Sequence, residues 1–392
     1  MQGIYYSHKV LLWFLKNNMV AITSKQNIPK GWQRVKLGDI SDITNGKTNT
    51  QDAVADGEYP LFDRSIAIKR SNKYLFDKTA VVLPGEGAEF VPRYYSGKFD
   101  LHQRVYAIFP SNVVYPLYLF QYLYANRAIF AQNAVGSTVK SLRLPIIQAV
   151  DVLLPPLTEQ KRIAEILVTV DEEIQKTEEI TSQTEKLKKG LMQQLFAKGI
   201  GHTKFKKTKI GSIPEEWQAK TVGELCDLGR GRVINKKELQ ENPGPYPVYS
   251  SQTSNNGEFG RIATYDFEGE YVTWTTDGEY AGATFYRNGK FNCTNVCGTL
   301  KATVPLDMRY LSLVLEVYAE KYVVKTANPK LMNGVMSTVI IPVPPIAEQK
   351  KIAEVLLSCD EKLSVNKKLK AKLTLLKKGL MQDLLSGKVR TK

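Results

Sequence analysis

The sequence predicts two mixed α/β (α+β) globular domains with twisted sheets, each followed by one long helix, the two helices pairing antiparallel as a coiled-coil rod. Three observations lead there. A block is written twice, since Pro155-Pro-Leu-Thr-Glu-Gln-Lys-Arg-Ile-Ala-Glu165 returns 189 residues later as Pro344-Pro-Ile-Ala-Glu-Gln-Lys-Lys-Ile-Ala-Glu354. The same offset carries Leu187-Lys-Lys-Gly-Leu-Met-Gln193 onto Leu376-Lys-Lys-Gly-Leu-Met-Gln382, so internal repetition sets the architecture. Each block continues into an apolar stripe of helical period, and each is preceded by short strand-like runs separated by turn residues.

The first helix is expected from about Thr158 to Phe196, with Ile163, Ile166, Leu167, Val170, Ile174, Ile180, Leu187, Leu191 and Leu195 on its apolar side. The second carries Ile352, Val355, Leu356, Cys359, Leu363, Leu369, Leu373, Leu376, Leu380 and Leu384 in the same way. Some forty residues at 1.5 Å each make helices of roughly 60 Å. A Pro-Pro pair opens each one, and a glutamate, Glu159 or Glu348, falls in the first turn, where the positive end of the dipole favours it. Positions 163, 170, 177, 184 and 191, and 352, 359, 366, 373 and 380, recur every seven residues and offer a seam.

Charge suggests that the helices match. Asp171, Glu172, Glu173, Glu178 and Glu179 crowd the centre of the first; Lys362, Lys367, Lys368, Lys370 and Lys372 crowd the centre of the second. Chain direction sets the orientation: the first helix leads from domain one to domain two, and an equivalent second helix returns. Two domains at opposite ends of the rod, related by an approximate two-fold axis, are the expected arrangement.

The globular parts echo each other more faintly. Ile28-Pro29, Trp32-Gln33 and Gly38-Asp39 match Ile213-Pro214, Trp217-Gln218 and Gly223-Glu224, while Tyr59-Pro60 and Gly97-Lys98-Phe99 match Tyr246-Pro247 and Gly289-Lys290-Phe291. Strands are expected at 79–83, 105–109, 270–274 and 339–343, and helices at 117–130 and 308–324. The organisation read from this is a helical N-terminal extension over 1–24, a first domain over 25–154, a helix over 155–198, a linker over 199–212, a second domain over 213–343 and a second helix over 344–392. The apolar run Val10-Leu-Leu-Trp-Phe-Leu15 is too short to span a membrane and lacks a basic start and a cleavage site.

Composition narrows the partner class. Lys and Arg total 54 against 39 acidic residues, a net charge of +15, which suits a polyanion because neutralised phosphates release counterions. Four cysteines and three scattered histidines make no zinc spacing, and reduced thiols in the cytoplasm are expected. The polar loops hold the groups that meet nucleic acid: Lys47, Thr48, Arg64, Lys69, Arg70, Arg93 and the late Lys140 in the first domain; Arg230, Arg232, Lys236, Lys237, Ser251, Gln252, Asn255, Asn256, Arg261 and the late Lys330 in the second. Arginine suits guanine, Asn and Gln suit adenine, and lysine meets phosphate. No Asn/Asp-Pro-Pro-aromatic motif, phosphate loop or dinucleotide fingerprint occurs, so binding without catalysis is expected.

The paired Pro-Pro-[Leu/Ile]-x-Glu-Gln-Lys segments, the Leu-Lys-Lys-Gly-Leu-Met-Gln helices and the two Ile-Pro-x-x-Trp openings resemble the specificity (S) subunit of Type I restriction-modification enzymes. That resemblance implies two target-recognition domains, each reading one half of a split double-stranded DNA sequence, and helices that set the spacer and dock two methyltransferase (M) subunits, to which restriction (R) subunits attach. The helix positions assigned to subunit contact are Glu159, Gln160, Lys161, Leu187 and Leu191, with Glu348, Gln349, Lys350, Leu376 and Leu380. The resemblance also implies that S-adenosylmethionine, ATP and magnesium belong to partner subunits, and that adenine-N6 methylation and ATP-dependent cleavage belong to the whole enzyme. A stand-alone bidentate DNA-binding regulator is the alternative.

Overall fold

The computed structural model describes residues 28–391; the N-terminal helix expected over 1–24 lies outside them. The chain divides into two compact units, one holding the described residues up to Glu179 and those from Lys368 onward, the other Ile180–Lys367.

Unit 1 is built on β1 (Gln33–Lys36), β2 (Ser41–Asn45), β3 (Tyr59–Phe62), β4 (Lys69–Ser71), β5 (Phe76–Pro84), β6 (Arg93–Leu101), β7 (Val105–Pro110) and β8 (Asp151–Leu154). Its main sheet runs β2-β7-β5-β6-β3-β4, with β1 and β8 as a separate antiparallel pair. Every neighbour in the main sheet is antiparallel except β3 with β6. The run Ala80-Val-Val-Leu83 is wholly buried because β5 is central and covered on both faces: Val81 and Leu83 join the large core, Ala80 and Val82 a smaller aromatic one with Phe62 and Phe99. Successive strand residues point to opposite faces. Over the first face lies the helix Pro116–Ala125, opened by a proline in its first turn and nearly all buried.

Unit 2 repeats this plan. Its strands are β9 (Phe205–Thr208), β10 (Gly211–Pro214), β11 (Gln218–Thr221), β12 (Cys226–Arg230), β13 (Tyr246–Tyr249), β14 (Glu258–Ile262), β15 (Phe267–Thr275), β16 (Thr284–Cys293), β17 (Cys297–Ala302) and β18 (Ile340–Val343). The sheet order β12-β17-β15-β16-β13-β14 is that of unit 1, again with one parallel pair, β13 with β16, and with β11 and β18 apart. The helix Met308–Tyr318 takes the place of Pro116–Ala125. Residues 199–212, read from sequence as a linker, instead contain the hairpin strand β9 and the start of β10.

One long helix runs Leu157–Lys198 and the other Ile346–Leu385, 42 and 40 residues. Each contributes its beginning to one core and its end to the other. Ile163, Ala164 and Leu167 join Met381, Leu384 and Leu385 in unit 1, and Ile352, Ala353 and Leu356 join Met192, Leu195 and Phe196 in unit 2. Within unit 1, Asp171 meets Lys377 at 2.5 Å and Glu178 meets Lys370 at 2.7 Å, so rising numbers face falling ones and the segments are antiparallel. In unit 2 the repeat-related pair, Lys188 with Asp360, closes at 2.7 Å.

The charge matching expected from sequence holds for Lys370 and Glu178, whereas Lys362, Lys367, Lys368 and Lys372 are exposed, and Glu173 pairs with Lys176 one turn along its own helix. The first-turn glutamates also do more than face a dipole. Glu159 accepts from Trp32 Nε1 at 3.1 Å and from Arg390 at 2.7 and 2.8 Å; Glu348 accepts from Trp217 Nε1 at 2.9 Å and meets His202 Nε2 at 3.0 Å. The Arg390 guanidinium holds the Glu159 carboxyl below the usual carboxylate range, against the opposing effect of burial. Each domain is therefore tied to the start of one helix and to the segment that follows the other.

Candidate nucleic-acid interface

The neighbouring glutamines tighten the same joint. Gln160 accepts from Tyr115 N at 2.7 Å and donates to Val113 O and Pro155 O at 3.1 and 2.9 Å; Gln349 accepts from Asp307 N at 2.9 Å and donates to Pro344 O at 2.8 Å. Glu159, Gln160 and Gln349 are buried and Glu348 half-buried, because a helix entering directly from a domain must satisfy the loop carbonyls and amides around it. Their assignment to subunit contact is corrected on that ground. Lys161, Lys350, Leu187 and Leu376 are exposed, while Leu191 and Leu380 pack against the cores.

In each unit the turn after the central strand places one carboxylate between two cations. Glu86, following β5, meets Arg64 at 2.6 Å and Arg104 at 2.5 Å. Asp277, following β15, meets Arg230 at 3.4 Å and Lys330 at 3.9 Å. A short hairpin docks beside each: Val135 and Ser141 exchange both backbone hydrogen bonds, as do Val324 and Lys330, and the loops between them are exposed. In unit 1 this hairpin borders a cleft of about 730 Å³ lined by Asn45, Gln103, Arg104 and Arg143. Arg104 and Arg143 went unnoticed in the sequence. Matching Glu86-Gly87 to Asp277-Gly278 would have drawn attention to this turn.

Most of the arginines picked out from sequence have donors engaged within their own unit. Arg70 donates to Gly57 O and Glu58 O at 2.8 and 2.9 Å, and Arg93 to Ser65 O. Arg232 bridges Glu238 and Asp266 at 2.6 and 3.1 Å, and Arg261 meets Glu258 at 2.9 Å. Lys69 pairs with Asp63 at 2.7 Å; burial opposes the Asp63 charge, yet hydrogen bonds from Lys69 and Ser65 hold its carboxyl below the usual range. Lys237 reaches Glu241 at 3.7 Å along a short helix. These groups shape loops before they meet any ligand.

Thr48 is a correction: it is 2% exposed and its hydroxyl donates to Asp100 at 2.7 Å, so it stands inside the fold. The chain passes so close to β6 there that a Cβ on Gly46 would lie 1.9 Å from Leu101 O, and only glycine fits. Gly231 stands under the same constraint in unit 2, 2.1 Å from Cys293 O. Lys47, Lys140 and Lys236 are exposed and in no ion pair among the described residues, the state suited to phosphate contact. Ser251 and Gln252 are half-buried, with the Gln252 amide donating to Glu258 O, whereas Asn255 and Asn256 are exposed at a loop tip.

With this geometry in view, the family model for the Type I restriction modification DNA specificity domain matches the chain twice, over residues 29–186 and 214–375. The chain belongs to the Type I restriction-modification specificity family. It is 38% identical over 221 residues to a putative type I specificity subunit of Mycoplasma pneumoniae, covering 55% of this chain and 83% of that one. It is 26% identical over 432 residues to the Type I restriction enzyme MjaVIII specificity subunit of Methanocaldococcus jannaschii, covering 98% and 99%. The crystal structure of the Type I restriction-modification S subunit from M. genitalium shares the fold, with a TM-score of 0.69 and 17% identity over 93% of this chain and 99% of that one. The two sheet units are thus the two target-recognition domains of a Type I specificity subunit, a non-catalytic member of its complex that serves DNA sequence recognition. No helix among the described residues is long and apolar enough to cross a membrane.

Proposed function

We propose that each target-recognition domain of this specificity subunit reads one half of a split DNA sequence, that the long helices set the unread interval, and that two methyltransferase subunits dock on the helices, with restriction subunits joining through them. S-adenosylmethionine, ATP and magnesium then reside on those partners, and the assembly acts in the cytoplasm as an adenine-N6 methyltransferase and ATP-dependent endonuclease. The reading of two half-sites is carried by one observation: the two domains share strand order and helix-locking contacts but differ in the loops that bear polar, exposed side chains. One frame with two different sets of loops suits two different half-sequences.

Docking of two identical partners is supported by repeat-related pairs of exposed apolar residues on the helices, beside which Val365 and Leu375 stand unpaired. Leu157 and Ile346 are 39% and 39% exposed, Ile166 and Val355 37% and 40%, Ile180 and Leu369 43% and 43%, Leu187 and Leu376 58% and 51%. One member of each pair belongs to unit 1 and the other to unit 2, so each unit offers one copy of the paired positions. Solvated helices do not need such leucines, whereas a partner surface does. A stand-alone regulator would leave them without a role.

Stoichiometry tests this. A complex purified with its methyltransferase is expected to contain two copies; Leu187→Glu or Leu376→Glu alone is expected to leave one, and the double variant none, with melting of the free chain nearly unchanged. Two methyltransferases retained by the double variant would refute the docking reading, and tight selective DNA binding by the free chain would favour the regulator.

A further inference from the structure

In both units the loop closing one end of the sheet rests on an arginine from the same long strand. In unit 2 the loop of residues 250–257 joins β13 to β14, and beneath it lies Arg287 of β16, 3% exposed. Its Nη2 donates to Asn256 O at 2.8 Å, its Nε donates to Thr273 Oγ1 at 3.1 Å, and its guanidinium lies 3.5 Å from the centre of the Tyr249 ring. In unit 1 the loop of residues 63–68 joins β3 to β4, and Arg93 of β6 donates to Ser65 O. Gly97 and Gly289, both at positive φ, bring the two strands into register. On that alignment Arg93 and Arg287 lie two residues apart, on one face of equivalent strands.

The loops on these props share neither length nor chemistry. Asp63-Arg-Ser-Ile-Ala-Ile68 stands in one unit and Ser250-Ser-Gln-Thr-Ser-Asn-Asn-Gly257 in the other. A constant support under a differing tip is the arrangement expected of an element that reads sequence.

The tip in unit 2 is also held in an unusual conformation. Asn255, Asn256 and Gly257 have φ of 48°, 54° and 78°, three left-handed residues in succession. Side-chain-bearing residues seldom adopt that region, and where the surroundings enforce it the site is commonly functional. Glycine at 257 lets the arginine in, since a Cβ there would lie 3.0 Å from Arg287 Nη2. Burial pushes the Arg287 guanidinium below its ordinary pKa, so the prop is a costly one to keep. Both asparagine side chains are exposed, and a carboxamide can pair bidentately with adenine N6 and N7 in the major groove.

We propose that Asn255 and Asn256 are specificity-determining residues of the second target-recognition domain, reading an A·T base pair, and that Arg287 is the positioning residue that fixes their backbone. This rests on the reading of two half-sites proposed above. The test uses the subunit with its methyltransferase, selected against a randomised duplex library. Asn255→Gly with Asn256→Gly removes both carboxamides while glycine tolerates the same φ, which separates the amides from the loop conformation.

The expected result is a second half-site that loses roughly ten- to hundredfold discrimination at one or two A·T positions, with the first half-site unchanged. Arg287→Lys is expected to relax the same positions; a merely structural arginine would lower the melting temperature and leave the motif intact. An unchanged second half-site in the glycine variant, or relaxation confined to the first half, would overturn the assignment. A wild-type complex that selects no two-part motif would overturn the underlying reading instead.

Discussion

Replacing Asp171 by alanine is expected to lower stability by about 3–5 kcal/mol, because it leaves a buried ammonium without its counter-ion. The Asp171 and Lys377 side chains are each 2% exposed and 2.5 Å apart. Gln121 donates to the carboxylate at 3.0 Å, and the Lys377 ammonium lies 5.3 Å from the Tyr124 ring centre. Burial pushes the Lys377 ammonium below the usual lysine range, with Asp171 opposing the shift. The repeat-related pair provides an internal control. Lys188 and Asp360 are 15% and 38% exposed in their side chains, so Asp360→Ala is expected to cost about 1 kcal/mol or less. Replacing Asp171 and Lys377 together by leucine and methionine is expected to be near neutral, since apolar residues of similar volume replace such pairs well. Urea unfolding of the three variants reads the difference directly; equal losses for Asp171→Ala and Asp360→Ala would show that burial does not distinguish the two pairs.

The largest functional effect is expected from lengthening both helices together. Four helix-forming residues inserted after Thr177, and four more after Lys370, enter at facing levels, because Glu178 meets Lys370 and Asp171 meets Lys377. Every ion pair within each unit keeps its partner. Each helix gains about 6 Å and slightly more than one turn, and duplex DNA advances about 3.4 Å per base pair along each strand. The spacer in the methylated motif is therefore expected to grow by about one or two base pairs, with both half-sequences retained. An insertion in one helix alone shifts that helix by four residues against its neighbour and is expected to impair folding. Methylated adenines mapped across a genome carrying the paired insertion give the answer; an unchanged spacer in an active complex would mean that the helices do not set the interval.

Much of the fold was legible because the same information is written twice in a periodic form. The helix starts follow from Pro155-Pro156 and Pro344-Pro345, and the buried strands β5 and β15 from runs of apolar and β-branched residues. The partners of those elements were harder to read. Lys377 and Lys188 sit in the repeated Leu-Lys-Lys-Gly blocks and look like any solvated lysine, and only the antiparallel register brings them to Asp171 and Asp360. Glu159 and Glu348 drew a dipole argument because Trp32 and Arg390, or Trp217 and His202, are remote in sequence.

The recognition loops were legible in composition but not in role. Arg64, Arg70, Arg93, Arg230, Arg232 and Arg261 were selected as cations that could meet DNA, yet each is bonded to a carboxylate or carbonyl of its own unit. Sequence shows that an arginine is present, and the fold decides where its donors go. Thr48 shows the same limit, since a hydroxyl beside Lys47 reads as a phosphate contact until Asp100 is found beneath it. Arg287 escaped notice because it lies inside a strand, directly after Phe285-Tyr286, and its link to Asn256 exists only once β16 passes under the β13–β14 loop.

The central claim is that the two domains read separate halves of one DNA sequence. Exchanging residues 28–154 for the corresponding domain of a relative, and sequencing the methylated motif of cells carrying the hybrid with its methyltransferase, tests it most directly. One half of the motif is expected to change while the other half and the spacer stay as in the parent. A motif altered in both halves, or in neither, would contradict it.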